Sequence, residues 1–209
     1  MSASSSPRRG PASAELRVGG LARLSTCDWP GELVATVFCQ GCPWRCRYCH
    51  NPHLLPAHAG EPIAWPRVLA FLERRRDLLD AVVFSGGEPT LQAALPAAMR
   101  MVRSLGFRIG LHTAGPYPDR LAAVLPLVDW IGFDVKAPFD DYARVTGVPG
   151  SGDKARASLS RVLAAGIAVD VRTTVDPGLL GEGELARLSG ELAALGVRHH
   201  RLQECRPIG

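Results

Sequence analysis

The chain has 209 residues, of which 46% are hydrophobic and 21% are charged, and its formal net charge is +4. This balance is typical of a globular protein with one core, and the length is below the ~250 residues of a complete eight-fold β/α barrel. No apolar run reaches the ~20 residues that cross a bilayer, and the basic residues are scattered along the chain. The composition therefore favours neither a membrane partner nor a nucleic-acid partner.

Residues 1–15 are rich in Ser, Pro and Arg and contain no aromatic residue, so we expect a disordered leader there. The leader has no apolar segment of the kind that directs secretion, which predicts a cytoplasmic protein. Residues 16–209 are expected to form a single domain. In a cytoplasmic chain, six cysteines of which four are clustered indicate metal binding rather than disulfides.

Short apolar runs rich in Val, Ile and Phe predict strands that are buried on both faces. The predicted strands are Leu33–Phe38, Ala81–Phe84, Arg108–Leu111, Trp130–Phe133, Ala168–Val171 and Val197–Leu202. Amphipathic helical stretches lie between them, and three of these end at a glycine that provides a left-handed cap before the next strand. The capping glycines are Gly106, Gly166 and Gly196. Repeated strand–helix–strand units predict parallel strands with right-handed crossovers.

Every predicted strand is followed by polar or reactive residues. In chain order these are Cys42–Cys49, Gly86–Glu88, His112 and Thr113, Asp134 and Lys136, Arg172 and Thr173, and Gln203 and Glu204. In a β/α barrel the carboxyl ends of the strands share one active face, whereas a flat doubly wound sheet concentrates its ligands at a switch point. We therefore predict an α/β fold, a partial (open) β/α barrel of about six parallel strands. The doubly wound sheet is the alternative.

Four cysteines lie close together, at Cys39, Cys42, Cys46 and Cys49. The last three follow one another at spacings of four and three residues, which suits an iron–sulfur cluster. Structural zinc sites more often combine two Cys pairs that are ~12–20 residues apart. With Cys39 as a fourth ligand, the cluster would be saturated and could only transfer electrons. Cys39 ends an apolar strand, where a cysteine packs as a small hydrophobic residue, so we favour three ligands.

The Cys-x3-Cys-x2-Cys loop, with an aromatic residue before its last cysteine, resembles the radical S-adenosylmethionine (SAM) superfamily and its partial barrel. Four segments are similar to the glycyl-radical-enzyme activating proteins of that superfamily. They are Asp28-Trp29-Pro30-Gly31, Cys49-His50-Asn51-Pro52, Gly86-Gly87-Glu88-Pro89 and Asp134-Val135-Lys136. Further segments look most like the activating proteins of anaerobic ribonucleoside-triphosphate reductase. These are Leu127-Val128-Asp129-Trp130, Asp134-Val135-Lys136-Ala137-Pro138 and Leu202-Gln203.

The resemblance implies a [4Fe-4S] cluster held by Cys42, Cys46 and Cys49, with SAM as the second cofactor. In the family, the cluster cleaves SAM reductively to a 5′-deoxyadenosyl radical, which installs a glycyl radical on a partner enzyme. The SAM-binding residues implied in this chain are Tyr48, Gly86, Gly87, Glu88, Thr113, Asp134, Lys136 and Arg172.

The implied protein substrate is a glycyl-radical enzyme of the anaerobic ribonucleotide reductase class, with Asp28 and Gly31 as candidate partner contacts. A low-potential electron donor is also needed, and Arg45 and Arg47 beside the cysteines would attract an acidic donor such as flavodoxin. The chain departs from the family at His112, where the family has an acidic residue. An imidazole does not replace a hard carboxylate ligand, so this departure puts a family cation site in doubt.

Besides a structural metal module without catalysis, two other functions stay open from the sequence. One is a radical SAM enzyme that acts on a small molecule, although the compact deazaguanine-forming synthases typically continue with Asp-Thr after the last cysteine rather than with His50-Asn51-Pro52. The other is an iron–sulfur electron-transfer protein that uses all four clustered cysteines. It predicts that Cys39 is a cluster ligand and that SAM is inert.

Overall fold

The computed structural model describes residues 15–58 and 60–205. The leader predicted over residues 1–15 lies outside the described residues, except for Glu15. Seven strands occur in the described part: β1 (Val18–Ser25), β2 (Val34–Cys39), β3 (Ala81–Gly86), β4 (Arg108–Thr113), β5 (Trp130–Asp134), β6 (Ala168–Val175) and β7 (His200–Glu204). The α-helices there are α1 (Trp65–Glu73), α2 (Leu95–Ser104), α3 (Pro118–Val124), α4 (Tyr142–Thr146), α5 (Ser151–Ala164) and α6 (Glu182–Ala194).

The strands form one sheet whose spatial order is the order of the chain, from β1 to β7. The pair β1–β2 is antiparallel, and every following pair is parallel. A doubly wound sheet reverses its strand order at a switch point, and this sheet does not. Among the described residues β1 and β7 are not paired with each other, so the sheet is open. The prediction of an open β/α barrel with six parallel strands is confirmed.

Strand β1 is absent from the sequence prediction. Gly19 and Gly20 interrupt its apolar pattern, and most of its residues are only half-buried, so it lacks the continuous apolar run of the parallel strands. The glycines are explained by close packing. A Cβ at Gly19 would lie 2.4 Å from the Leu54 side chain and 2.5 Å from that of Gln40. The prediction also began β7 too early, at Val197, because residues 197–199 continue the connection from α6.

The main core lies between the outer face of the sheet and the helices. Alternate strand residues such as Phe84, Leu111 and Phe133 are buried there with helix residues such as Val68 and Met99. The predicted glycine caps are confirmed, since Gly106, Gly166 and Gly196 have φ angles of 96°, 67° and 90°. None of the helices in the described ranges is both long and apolar enough to cross a membrane.

A second, smaller apolar cluster fills the other face of the sheet at the amino ends of the strands. It consists of Trp29, Val34, Ala81, Val83 and Trp130. The rings of Trp29 and Trp130 are stacked with centroids 5.2 Å apart. Strand residues alternate between the two faces of a sheet, so these side chains occupy the inside of the barrel. The amino-terminal part of the interior is thus closed by packing, and polar residues occupy the part nearer the carboxyl ends.

Candidate active site

The predicted site residues lie mainly at the carboxyl ends of adjacent parallel strands. The cysteine loop follows β2, and Gly86, Thr113 and Asp134 are the last residues of β3, β4 and β5. Arg172 was predicted at the end of its strand, and this is wrong because β6 continues to Val175. Arg172 nevertheless pairs in register with Asp134, so its side chain reaches the same level of the barrel.

The base of the cysteine loop is bound directly to the segment after β3. The Gly87 amide donates to the Cys39 carbonyl at 2.9 Å, and the Glu88 amide donates to the Gly41 carbonyl at 2.8 Å. A Cβ at Gly86 would lie 2.4 Å from the Cys39 nitrogen, and one at Gly87 would lie 2.3 Å from the Gly41 oxygen. The two glycines are therefore required by contact with the protein's own backbone. The resemblance implied that both glycines also bind SAM.

The Glu88 carboxylate joins the ends of β3 and β4. It is buried and accepts hydrogen bonds from the Thr90 amide at 3.0 Å, the Thr90 hydroxyl at 2.6 Å, the Thr113 hydroxyl at 2.9 Å and the Ala114 amide at 3.1 Å. Burial raises the pKa of Glu88, and these donors lower it without cancelling the rise. The side chains of Glu88 and Thr113, both predicted to bind SAM, are hydrogen-bonded to each other. Their role in this arrangement is to fix the two strand ends.

Asp134, Lys136 and Arg172 form a charged cluster beside the cysteine loop. Arg172 Nε lies 2.5 Å from one Asp134 oxygen, and Lys136 Nζ lies 3.3 Å from the other. Burial raises the pKa of Asp134, but Lys136 and Arg172 outweigh it and hold that pKa well below its usual range. Burial lowers the pKa of Lys136, and Asp134 more than reverses this. With two cations and one carboxylate, the cluster has surplus positive charge and is suited to an anionic group.

Tyr48 of the cysteine loop faces this cluster. Its ring centroid is 5.9 Å from Lys136 Nζ. Burial raises the pKa of the Tyr48 phenol, which therefore stays protonated at neutral pH. Within residues 15–58 and 60–205, the buried Tyr48 hydroxyl has no hydrogen-bond partner. An unpartnered buried hydroxyl costs free energy, and a hydrogen bond to a ligand would remove that cost. The Tyr48 hydroxyl is therefore a candidate contact for a ligand bound between the cysteine loop and the charged cluster.

The four clustered cysteines have different environments. Cys42, Cys46 and Cys49 are partly exposed, whereas Cys39 is completely buried in the main core. Burial raises the pKa of Cys42 to about 12 and also raises that of Cys46, so these thiols ionise only where a metal offsets the lost hydration. No three potential ligands of the described chain converge on a single metal ion. A cluster needs no such point because it offers separate iron atoms to separate thiolates.

Aromatic residues outside the predicted set support the cysteine loop. Trp44 is buried in an edge contact with Tyr142, with ring centroids 5.7 Å apart. The Tyr142 hydroxyl accepts the Lys136 amide at 2.9 Å, so the loop and the charged cluster share one support. Sequence reasoning missed Tyr142, since one aromatic residue in a helix carries no signal of its partners.

The segment after β7 also reaches this region. Burial is the main reason that the pKa of Tyr48 is raised, and Cys205 adds to the rise.

The two predicted partner contacts lie in different places. Asp28 is inside the barrel, where the Thr36 hydroxyl donates to its carboxylate at 2.6 Å and the Ser25 hydroxyl accepts its amide at 3.2 Å. Gly31 is exposed in a tight turn in which the Glu32 amide donates to the Trp29 carbonyl, and its φ of 85° requires glycine. This turn is at the amino end of β2. The structure therefore does not bring Gly31 to the carboxyl-end site.

His112, the departure noted in the sequence, binds the Asp28 loop. Its Nε2 lies 2.7 Å from the Asp28 carbonyl oxygen, and its Nδ1 lies 3.1 Å from the Ser85 hydroxyl. Burial lowers the pKa of His112 to about 4, and the nearby Arg172 guanidinium contributes to the shift. The imidazole is therefore neutral at physiological pH. His200, left unassigned by the sequence, lies 2.9 Å from the Thr173 hydroxyl through its Nε2.

Comparison with known proteins agrees with this geometry. The family described as the radical SAM superfamily matches residues 36–186. A Methanocaldococcus jannaschii protein whose name assigns it as a glycyl-radical enzyme activating enzyme is 30% identical over 179 residues, covering 80% of this chain and 72% of that protein. The pyruvate formate-lyase-activating enzyme of Clostridium pasteurianum is 31% identical over 137 residues, covering 63% of this chain and 57% of the relative.

A 7-carboxy-7-deazaguanine synthase of Methanopyrus kandleri is 34% identical over 128 residues, which are 52% of this chain and 51% of that enzyme. The chain thus spans only about half to three-quarters of these relatives. The solved structure of anSMEcpe with bound AdoMet has a TM-score of 0.65 at 14% identity, over 80% of this chain and 49% of that one, and supports the fold. The chain belongs to the radical SAM superfamily, whose members use a [4Fe-4S] cluster and SAM, and within it to the glycyl-radical enzyme activating family.

Proposed function

We propose that the chain installs a glycyl radical on a partner enzyme, and that this partner is anaerobic ribonucleoside-triphosphate reductase. The carrying observation is the Asp134–Lys136–Arg172 charged cluster beside the cysteine loop. The ring of Tyr48 lies 5.9 Å from Lys136 Nζ, and its buried hydroxyl has no partner among the described residues. The choice of reductase is supported by the segments that resemble its activating proteins. They are Leu127–Trp130, Asp134–Pro138 and Leu202-Gln203.

In this proposal Cys42, Cys46 and Cys49 hold the cluster. When bound, the cluster and SAM supply a 5′-deoxyadenosyl radical that removes a hydrogen atom from a glycine of the partner. Lys136 and Arg172 would attract the SAM carboxylate, because their two positive charges are only partly balanced by the single negative charge of Asp134. Asp134 would accept a hydrogen bond from the SAM amino group, because its side chain stays 31% exposed against 13% for Lys136 and 12% for Arg172.

The chain's other residues orient the partners. The Asp28 carboxylate, fixed inside the barrel, is an acceptor for backbone amides of an inserted glycyl loop. Arg45 and Arg47 are exposed beside Cys46, and their charge favours an acidic electron donor such as flavodoxin. Delivery of an electron at this face would keep the donor apart from the protein substrate inside the barrel.

The test is formation of a glycyl radical. The protein is reconstituted with iron and sulfide without oxygen, then incubated with dithionite, SAM and purified anaerobic ribonucleoside-triphosphate reductase. A parallel sample contains pyruvate formate-lyase. We expect the doublet of a glycyl radical in the electron paramagnetic resonance spectrum of the reductase sample. A signal with pyruvate formate-lyase alone would overturn the choice of partner, and no radical with either would overturn this function.

Cysteine variants provide the matched controls. Cys46→Ala is expected to abolish cluster binding and the radical, whereas Cys39→Ala and the exposed Cys27→Ala retain both. Loss of the cluster in Cys39→Ala would support the four-cysteine electron-transfer protein instead.

A second candidate function is radical chemistry on a small molecule. The observation that favours it is the 34% identity to a 7-carboxy-7-deazaguanine synthase over 128 residues. His50-Asn51-Pro52 after the last cysteine argues for the activating proteins. If SAM cleavage is stimulated by a small heterocyclic precursor of 7-carboxy-7-deazaguanine, and not by either protein substrate, the small-molecule function is correct.

A further inference from the structure

We propose that His112 is a positioning residue, which holds the Asp28 loop (residues 26–33) inside the barrel so that the Asp28 carboxylate faces an extended peptide substrate. The part of this proposal that concerns the substrate rests on the function proposed above. The positioning itself rests on contacts within the chain.

The hydrogen bonds of His112 select one protonation state. The Asp28 carbonyl oxygen, 2.7 Å from Nε2, can only accept, so Nε2 carries the proton. In the neutral ring Nδ1 is then an acceptor, and the Ser85 hydroxyl at 3.1 Å donates to it. The Asp28 carbonyl therefore selects the tautomer of His112 on β4, and the Ser85 hydroxyl on β3 supports that tautomer. The histidine in turn holds a loop near the start of the chain.

Burial, with Arg172 nearby, favours the neutral His112 ring. His112 is 9% exposed and lies near Arg172, while the carboxylates of Asp134 and Asp28 act in the opposite direction. A charged imidazolium would add a third cation to the Lys136–Arg172 pair. It would also have no acceptor left for the Ser85 hydroxyl.

The space for the ring is built into the strands. A Cβ at Gly132 would lie 2.7 Å from His112 Cδ2, and one at Gly110 would lie 2.9 Å from the Trp29 ring. The edge of the His112 ring also packs against Trp130, with centroids 5.6 Å apart. Glycines inside strands often mark such close approaches. The imidazole is thus confined on its sides as well as hydrogen-bonded at both nitrogens.

Asp28 is held at three of its atoms as a result. Its amide donates to Ser25, its carbonyl accepts from His112, and one carboxylate oxygen accepts from Thr36. A half-buried carboxylate with a fixed backbone needs no reordering to accept peptide N–H groups. The class of ligand that fits is an extended polypeptide segment.

The test compares His112→Gln, whose amide nitrogen can still donate to the Asp28 carbonyl, with His112→Phe, which keeps a ring and lacks the donor. Ser85→Ala is a milder variant that removes only the donor to Nδ1, and the exposed Ser160→Ala is its matched control. Backbone hydrogen exchange of residues 26–33 is measured by mass spectrometry on the reconstituted protein. We expect roughly tenfold faster exchange in His112→Phe, from the loss of about one hydrogen bond, and less than about twofold in His112→Gln.

Nitrogen-15 spectra of histidine-labelled protein give the spectroscopic signature. At pH 7 we expect His112 to be protonated at Nε2 only. Ser85→Ala should shift the Nδ1 resonance, because Nδ1 loses its donor, whereas Ser160→Ala leaves both ring resonances unchanged. Protonation at Nδ1 or at both nitrogens in the wild type would overturn the proposal. Equal loop exchange in the wild type and His112→Phe would also overturn it.

With a partner that the chain activates, His112→Phe is expected to raise the KM for that partner about tenfold. Formation of 5′-deoxyadenosine without partner should change less than about twofold. If no glycyl-radical enzyme is activated but the exchange and nitrogen-15 results are as expected, the proposed function fails and the positioning role stands.

Discussion

Asp134 determines the charge balance of the site, because one carboxylate is shared by two buried cations. Its contacts with Arg172 and Lys136 stabilise its charged form, and that same charge raises the pKa of Lys136 above its usual value. Removing the carboxylate would leave both cations without this partner. The three residues therefore act together, and the effect of one substitution extends to the other two.

Asp134→Asn is expected to weaken SAM binding about tenfold, since an amide neither neutralises the cations nor accepts equally well from the SAM amino group. Equilibrium binding of SAM to reconstituted protein measures this. Asp140→Asn is the control, because Asp140 is 86% exposed and lies 4.0 Å from its nearest cation. Unchanged SAM affinity in Asp134→Asn would show that the charged cluster of Asp134, Lys136 and Arg172 is not part of the SAM site.

The same variant carries a prediction on pH. The two cations hold the pKa of Asp134 below the value of ~3.9 for an unfolded aspartate. The stability that Asp134 contributes is therefore present above this unfolded pKa and is lost as the pH falls through the lower, folded pKa. The difference in the free energy of unfolding between wild type and Asp134→Asn should be constant from about pH 7 to pH 5 and shrink below about pH 4. Urea titrations at each pH measure it, and a difference that grows towards acid pH would contradict the assigned pairing.

Glu88→Gln tests the buried carboxylate that joins the two strand ends. A Gln amide group presents hydrogens where the carboxylate accepted from Thr113 and Ala114, so we expect a loss of about 2 kcal/mol in the free energy of unfolding. Urea denaturation measures the loss. Glu73→Gln at the exposed end of α1 is the control and should change stability by less than about 0.5 kcal/mol. Equal stabilities of the two variants would show that the Glu88 contacts contribute little.

Single residues were predictable only where a local pattern carries the information. The spacing of Cys42, Cys46 and Cys49 predicts a metal loop because the ligands are close in sequence. The hydrogen bond between His112 and Asp28 joins residues 84 positions apart, and the Glu88 carboxylate depends on Thr113, 25 positions away. Such contacts depend on the register of strands that a single sequence does not reveal.

At the scale of elements, the cysteine loop and the segment after β3 form one unit. Backbone hydrogen bonds join Gly87 to Cys39 and Glu88 to Gly41. The loop is held at its other side by the Arg45 amide, which donates to the Thr146 carbonyl at the end of α4. The position of the cysteines therefore depends on the backbone of β3 and α4 as well as on the loop itself.

Gly87→Ala is expected to disturb this unit, because its Cβ would lie 2.3 Å from the Gly41 oxygen, a backbone atom that cannot move alone. We expect the reconstituted iron content to fall at least about twofold. The free energy of unfolding should fall by about 2 kcal/mol. Gly190→Ala in helix α6 is the control, since nothing lies near its Cβ position. It should raise stability by about 0.5–1 kcal/mol. Normal iron content in Gly87→Ala would contradict the proposed coupling.

The parallel strands and the helix ends were predictable because both carry strong local signals. Buried strands are continuous apolar runs, and glycine at a left-handed cap follows from steric restrictions on the backbone. Strand β1 and the last residues of β6 were missed. Their residues are mostly half-buried, so they gain order from pairing with β2 and β7 rather than from an apolar pattern.

At the scale of the whole molecule, the two ends of the barrel differ. One end is closed by packed side chains, and the other carries the candidate functional residues. The stacked Trp29 and Trp130 close the interior near the amino ends of the strands. The cysteine loop, the charged cluster and Asp28 lie nearer the carboxyl ends, and within the described residues the sheet is open between β1 and β7. An open barrel with polar residues at this end is suited to a polypeptide segment that enters from outside.

The most direct test of the central claim is transfer of a hydrogen atom from the partner to SAM-derived product. Anaerobic ribonucleoside-triphosphate reductase is prepared with glycine deuterated at Cα and incubated with the reconstituted protein, dithionite and SAM. Mass spectrometry then measures deuterium in the 5′-deoxyadenosine formed. We predict about one deuterium for each glycyl radical, because the abstracted hydrogen ends in that product. Glycyl radical accompanied by unlabelled 5′-deoxyadenosine, or 5′-deoxyadenosine formed without any radical on the reductase, would contradict the account.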